Sequence, residues 1–422
     1  MPDMSTERPD VKRGLLAALV ATSVVATGCT LTVGHPPQAS GAPATSLPPS
    51  PQATGVPGAV GRIAVVNERG TLTAFAADGS DAVVLAESVT DESLVRQPTW
   101  SPDGARIAWV ELAADGTSGD VKTSTADGTR PTDTPVAVAP FYLSWDPTSS
   151  HIAYLGNSPP VGIELGLVDP TSSTPTPIDA GSPLYLSWAP SGKQLLVHVG
   201  AHRLDRLALD GSPTSIPDHP GMFTAPVWTA DGGTFVYVSK AGGGERLVAY
   251  DLETSQRQVL TRVEGAISFV VSPDGSRIAF QILRGQTLVT PLSVIDRKTG
   301  TIERVATEYS PAFFWSPDGA KLLSLLPEVT PQRIWFRWNV WEGGSSFSTG
   351  RLVPSLVFSR DYLQFFEQYA QSMTLWSPDG NAFVYAGEGE SGGSGVWIQP
   401  ATRGAAPVRL SDGEFATWSP AG

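Results

Sequence analysis

The sequence predicts an all-β protein, a β-propeller of eight blades with seven as the alternative, closed by its C-terminal strand. Three observations carry this. A short motif recurs along the chain, its spacing stays in the forties, and each interval holds four short apolar runs separated by turn residues. The motif is PTWSPDG at Pro98–Gly104, and near-copies end at Ser149, Gly192, Gly232, Gly275, Gly319, Gly380 and Gly422. Its marker position is held by Trp100, Trp145, Trp188, Trp228, Val271, Trp315, Trp376 and Trp418, at steps of 45, 43, 40, 43, 44, 61 and 42 residues.

Each unit follows from the chemistry of its residues. An apolar run ends in Trp, and Ser-Pro-Asp-Gly then turns the chain. Proline pre-sets φ, aspartate bonds its own downstream backbone, and glycine accepts the positive φ of a tight hairpin. A second run follows, such as Arg106–Val110 or Arg277–Phe280. Then come a third, such as Leu204–Leu209 before Asp210-Gly211, and a fourth, such as Arg257–Leu260. Four antiparallel strands make one blade.

This WSPDG-then-strand pattern resembles the TolB-type propeller repeat, which is related to the propeller of prolyl oligopeptidases. The resemblance covers Gly61 to Gly422. It implies a fold and leaves function open, because propellers host many unrelated activities.

Taken from its start, the chain divides into three. Residues 1–28 read as a lipoprotein signal peptide. Lys12 and Arg13 precede an apolar run, Gly14–Ala26, too short for a permanent membrane span. Ala26-Thr27-Gly28-Cys29 resembles a bacterial lipobox, which implies lipidation of Cys29, the single cysteine of the chain. An ordinary signal peptide with an incidental cysteine is the other reading. With Cys29 at the anchor, no disulfide within the chain is possible. Residues 29–60 form a tether rich in Pro, Ser, Thr and Ala, unable to bury a core. Residues 61–422 form the propeller, with a helical insertion near 359–372.

The net charge is −13, and the leader contributes equal numbers of acidic and basic side chains. Such an acidic body argues against nucleic acid as a partner. The propeller has a seam. Gly61–Val66, Thr71–Phe75 and Asp81–Leu85 supply three strands without a preceding motif, and the last motif at Trp418 lacks the strands that should follow. Joining them completes one blade from both ends and closes the ring.

The long step between Trp315 and Trp376 holds the least repeat-like residues. Ile334–Trp341 reads as an aromatic strand with Trp335 and Trp341 on one face and Trp338 on the other. Arg360–Met373 places Tyr362, Phe365, Phe366 and Tyr369 at helical spacing, which predicts a short amphipathic helix at the channel mouth, opposite the SPDG turns. Phe366 and Tyr362 are expected to pack on the disc, and Phe365 and Tyr369 to face outward. These seven aromatics are the candidate binding residues. Either they plug the disc, or they form a recognition surface of rigid rings.

Other motifs read as structure. The turn aspartates Asp103, Asp274, Asp318 and Asp379 lie one per blade, so turn chemistry accounts for them. His198 and His202 are separated by strand and turn, which disfavours a shared metal. The Gly-rich stretches at 242–244 and 392–395 fall in hairpin loops. No catalytic residue, metal or cofactor is therefore assigned. The expected function is a monomeric scaffold, lipid-anchored on the extracytoplasmic face of the cell membrane, that binds a protein, peptide or glycan. The alternative is an extracytoplasmic enzyme, hydrolase- or lactonase-like, with its site at the channel mouth.

Overall fold

The computed structural model describes residues 55–421 apart from 57, 88–93, 114, 242 and 391. Cys29 and most of the tether lie outside the described residues. The fold is a β-propeller of antiparallel sheets whose first strands line a central channel. Five four-stranded sheets follow one another. They run from Leu94–Trp100 to Thr132–Val136, from Ala139–Trp145 to Thr176–Gly181, and from Leu184–Trp188 to Pro213–Ser215. The next two run from Val227–Trp228 to Arg257–Val263 and from Ala266–Val271 to Ile302–Arg304.

A larger sheet follows, of seven strands: Phe313–Trp315, Lys321–Val329, Ile334–Glu342, Ser345–Pro354, Ala382–Gly389, Ser394–Pro400 and Val408–Ser411. It joins the last two expected units, because Leu352–Pro354 pair with Gly387–Gly389. Trp376 bridges Phe383 in the place an inner strand holds elsewhere. The closing sheet combines both ends of the chain. Phe415–Trp418 pairs with Arg62–Val66, which pairs with Leu72–Ala76 and then Val83–Ala86. The seam expected from the sequence is the one formed.

Each SPDG turn is built by its own side chains. Ser101 Oγ donates to Asp103 Oδ1 at 2.6 Å and accepts the Arg106 N–H at 2.9 Å, while Asp103 Oδ1 accepts the Ala105 N–H. The same Ser-to-Asp bond recurs at Ser272–Asp274, Ser316–Asp318 and Ser377–Asp379, and Thr229–Asp231 reproduces it. Gly104 has φ +68°, open to glycine and strained for other residues. The aspartates are thus occupied in turns, as their spacing implies.

The tryptophans explain their own recurrence. Trp100 Nε1 donates to Thr417 O, Trp145 to Thr99 O, Trp188 to Ser144 O, Trp315 to Val270 O and Trp376 to Phe314 O, at 3.1–3.3 Å. In every case the acceptor is the residue just before the previous marker. A carbonyl of one inner strand is therefore satisfied by the indole of the next unit, which ties neighbours in a ring. Trp418, at the seam, donates to Val60 O instead, at 2.9 Å.

Candidate functional site

The segment between Pro354 and Thr374 does not form the single amphipathic helix predicted. It is a π turn at Phe358–Tyr362, a 3-10 turn at Leu363–Phe365 and an α turn at Phe366–Tyr369. The reason is its surroundings. One amphipathic stripe suits a helix with a wall on one side, whereas this segment sits inside a channel with walls all round. Changing pitch lets successive side chains reach different walls.

The contacts run around the ring. Tyr362 stacks on Phe415 at 4.3 Å, and Asp361 pairs with Arg96 at 2.9 Å. Ser372 O accepts Thr99 Oγ1, and the Tyr369 hydroxyl donates to Phe141 O at 2.9 Å. Phe366 packs on Phe313 at 4.9 Å, and Gln371 reaches Pro226 O. Gln368 makes the densest set. Its Oε1 accepts the Leu186 N–H, its Nε2 donates to Leu186 O and to the Tyr142 hydroxyl, each at 2.9 Å, and that hydroxyl donates back to Gln368 O. The side-chain amide thereby stands in for a neighbouring strand. The insertion is a plug whose partners are the channel-facing halves of the inner strands.

This divides the candidate aromatics. Tyr362 and Phe366 pack on the disc as expected, and Phe365 faces outward with 46 % of its surface open. Tyr369 was expected outward and is buried, 5 % exposed, against Tyr142 and Tyr362. With walls on all sides, the turn that carries it has no solvent side there. Trp335, Trp338 and Trp341 alternate as expected, on different surroundings. Trp338 is buried between Phe358 and Phe383, and Trp341 packs on Trp315 with the Arg277 guanidinium over its ring. Trp335 keeps partial exposure beneath Arg333, which lies 4.3 Å from its ring centroid and pairs with Glu388. Phe365 and Trp335 are thus the accessible members of the set.

Sequence reasoning missed two features of the channel mouth. The first is a cleft of about 220 Å³ where the plug meets the seam. Glu68, Arg96, Arg360, Asp361 and Glu414 line it together with Leu356, which is 70 % exposed. Asp361 accepts from both Arg96 and Arg360, so the charged lining is held in place by its own pairs. At Gln97, which also lines the cleft, φ is +55° and the strand register shifts between Arg96 and Thr99. The second is Glu367. Burial against the channel wall pushes its carboxyl up to about 7, while Ser268 and the N–H groups of Ala225 and Phe269 hold it back in part. The available signal was that Glu367, Gln368 and Gln371 are interleaved with the aromatics Phe365, Phe366 and Tyr369. Polar groups there must find buried partners.

The histidines do not form a site. His198 is buried with Nδ1 on Thr224 O at 3.0 Å, and burial lowers its pKa, whereas His202 faces solvent. Among the described residues, no group of three or more His, Cys, Asp or Glu is arranged to hold a metal, and no helix is long and apolar enough to cross a membrane.

No protein-family model matches the sequence, and no curated protein matches it. Solved structures do resemble it in fold. One, described as the eukaryotic initiation factor, is 10 % identical with a TM-score of 0.54, covering 86 % of this chain and 99 % of that one. A prolyl endopeptidase is 11 % identical with a TM-score of 0.53, and the match covers 78 % of this chain and 50 % of that one. TolB from Acinetobacter baumannii is 16 % identical with a TM-score of 0.41, covering 67 % and 76 %. The shared feature is the β-propeller fold. At these identities the likeness speaks for fold alone.

Proposed function

We propose that the protein is a scaffold, held to the membrane by a lipid on Cys29, that binds a protein, peptide or glycan outside the cytoplasm. The observation that carries this reading is the plug. Because the chain fills its own channel from the connecting side, what it presents there is a surface: exposed Leu356 and Phe365 beside a charged cleft. Apolar anchors ringed by charge are the usual make-up of a recognition patch. The tether's position supports it. Gly55 and Val56 bond to Asp78 and Ala77, in the turn that closes Leu72–Ala76 on the SPDG side. The first described residues therefore lie on one face and the patch on the other, an arrangement that suits an anchored scaffold.

The test uses the full-length protein in detergent, with extracytoplasmic extract or peptide and glycan arrays as the source of ligand. Leu356→Ala with Phe365→Ala should reduce capture at least tenfold and leave stability within about 1 kcal/mol, as surface changes do. Capture unchanged by this pair would overturn the reading. Cys29→Ala should leave the membrane fraction or stay unprocessed, and a mature-sized, membrane-retained Cys29→Ala protein would remove the anchor from the proposal.

The enzyme reading, hydrolase- or lactonase-like, rests on Glu367, whose raised pKa suits proton transfer near neutral pH. Turnover that vanishes in Glu367→Gln would favour it.

A further inference from the structure

We infer that the cleft between plug and seam takes the C-terminal residue of a peptide ending in lysine or arginine. This deepens the reading of the channel-mouth face as the recognition surface and rests on it. The cleft measures about 220 Å³. An engineered cavity of about 150 Å³ holds benzene, so this one has room for one long side chain with its backbone. Its charges are segregated by element. On the plug side, Arg96 of the inner strand Leu94–Trp100 and Arg360 share a single carboxylate. Asp361 Oδ2 accepts Arg96 Nη1 at 2.9 Å and Arg360 Nη2 at 3.0 Å, and its Oδ1 accepts Arg360 Nε at 2.6 Å. One positive charge is left over. So are donors, the Nε and Nη2 groups of Arg96 and Nη1 of Arg360, which bond to nothing among the described residues.

On the seam side, Glu68 and Glu414 line the cleft and form no ion pair among the described residues. Glu68 stands on a turn fixed by the Asn67 side chain, which accepts the Arg69 and Thr71 N–H groups. Glu414 precedes the closing strand, its N–H on Val66 O at 2.9 Å and its carbonyl accepting the Ser355 hydroxyl. Val66 and Val95, both buried, and exposed Leu356 add an apolar lining. These features select the ligand. Two guanidiniums against three carboxylates leave the lining net negative, which disfavours phosphate or another polyanion. A simple cation would leave the surplus guanidinium unanswered. A C-terminal lysine or arginine carries both charges on one residue. Its carboxylate suits the free guanidinium donors, its cationic tip suits Glu68 and Glu414, and the stem between them covers the apolar lining.

The probe is N-acetyl-Ala-Ala-Lys, titrated calorimetrically into the full-length protein in detergent, beside its C-terminal amide and the analogue ending in norleucine. Saturable binding of the acid is expected at millimolar concentration or below. The amide should bind about tenfold more weakly, losing charged hydrogen bonds, and norleucine about threefold more weakly, losing an exposed ion pair. The protein's net charge of −13 works the other way, since it favours the more cationic amide. Preference for the acid therefore reports the arginines and not bulk attraction. Arg360→Gln, which leaves the Arg96–Asp361 pair in place, should shrink the contrast between acid and amide at least threefold. Glu68→Gln with Glu414→Gln should erase the contrast between lysine and norleucine. An amide bound as tightly as the acid, no saturable binding of the acid, or contrasts that survive these variants would each overturn the inference. Lost capture in the Leu356→Ala, Phe365→Ala pair, with no preference among the probes, overturns this site and leaves the scaffold reading standing. Both contrasts present, with capture unchanged in that pair, support the site and count against the exposed patch. Should a variant fail to fold, the contrasts in the wild type decide alone.

Discussion

The inner strands are tied by side-chain bonds to their backbone at both ends of the channel, in different ways. On the SPDG side, indoles donate to backbone carbonyls, and five of them find the same acceptor one unit back. On the connecting side, Gln368 and Tyr369 reach the backbone of two different inner strands, and Gln371 spans Leu186 O and the residue before a third strand. Both satisfy peptide groups that a sheet leaves unpaired at its inner edge. The difference is periodicity. A partner that repeats with the unit is ordered by the repeat, whereas a plug is ordered by each of its contacts separately.

The largest effect expected from breaking either end is at the seam. Deleting the chain from Glu414 onward removes the strand Phe415–Trp418, the Thr417 carbonyl that Trp100 uses and the Phe415 ring on which Tyr362 stacks. Ring and plug lose a contact together, and a sheet edge opens. Thermal unfolding followed by circular dichroism should lose its cooperativity. An unchanged melting curve would place the closure elsewhere.

Next is Gln368→Ala, which tests the plug alone. It strands the Leu186 N–H, leaves the Leu186 C=O only the longer bond from Gln371, and removes a partner of the Tyr142 hydroxyl, all buried. Unpaired buried polar groups make a loss of about 3 kcal/mol the expected result in urea unfolding. A loss under about 1 kcal/mol would mean that water replaces the amide and the channel is wetter than its contacts imply.

Glu367→Gln should act with the opposite sign. The folded carboxyl is raised from its ordinary 4.5 to about 7. The folded state therefore holds its proton more tightly than the unfolded chain, and this contribution is full below pH 4.5 and lost as pH rises through 7. Glutamine keeps the neutral form at every pH. The variant should match the wild type near pH 4 and exceed it at pH 8 by up to the order of 3 kcal/mol. Equal stability at pH 8 would mean that Glu367 ionises as freely as in water.

What the sequence revealed divides along the same line. WSPDG recurs, and a residue type returning at one place in a repeat has one structural reason, so propeller, seam and turn aspartates were legible. Tyr362 and Phe366 were placed correctly because a helical spacing says which residues share a side. Tyr369 was not, because burial on all sides depends on walls such as Phe141 and Tyr142, more than 200 residues away in the chain. The cleft at Arg96 and Asp361 was hidden for the same reason, its two halves being separated by 265 residues.

The smallest effect bears on the ring itself, where Trp228, like Trp418 at the seam, departs from the rule. Trp145 and Trp228 are equally buried, each 6 % exposed. Trp145 Nε1 donates to Thr99 O at 3.1 Å, but Trp228 Nε1 is buried without a partner. In that unit the tie is made by other atoms, the Trp228 peptide N–H donating to Ser187 Oγ at 3.1 Å. Its inner strand is also only two residues long, Val227–Trp228, so the register that aims the other indoles is not imposed here. Replacing either ring by phenylalanine removes the same volume, so the cavity left is similar. Trp145→Phe additionally strands a carbonyl, while Trp228→Phe relieves an orphan donor. Trp145→Phe should therefore be the more destabilising by about 1 kcal/mol, the net worth of one such bond. Matched chemical denaturation of the two variants reads that difference directly. Equal losses would mean that the tryptophans recur for their bulk alone, and that the indole bonds around the ring follow from packing without stabilising it.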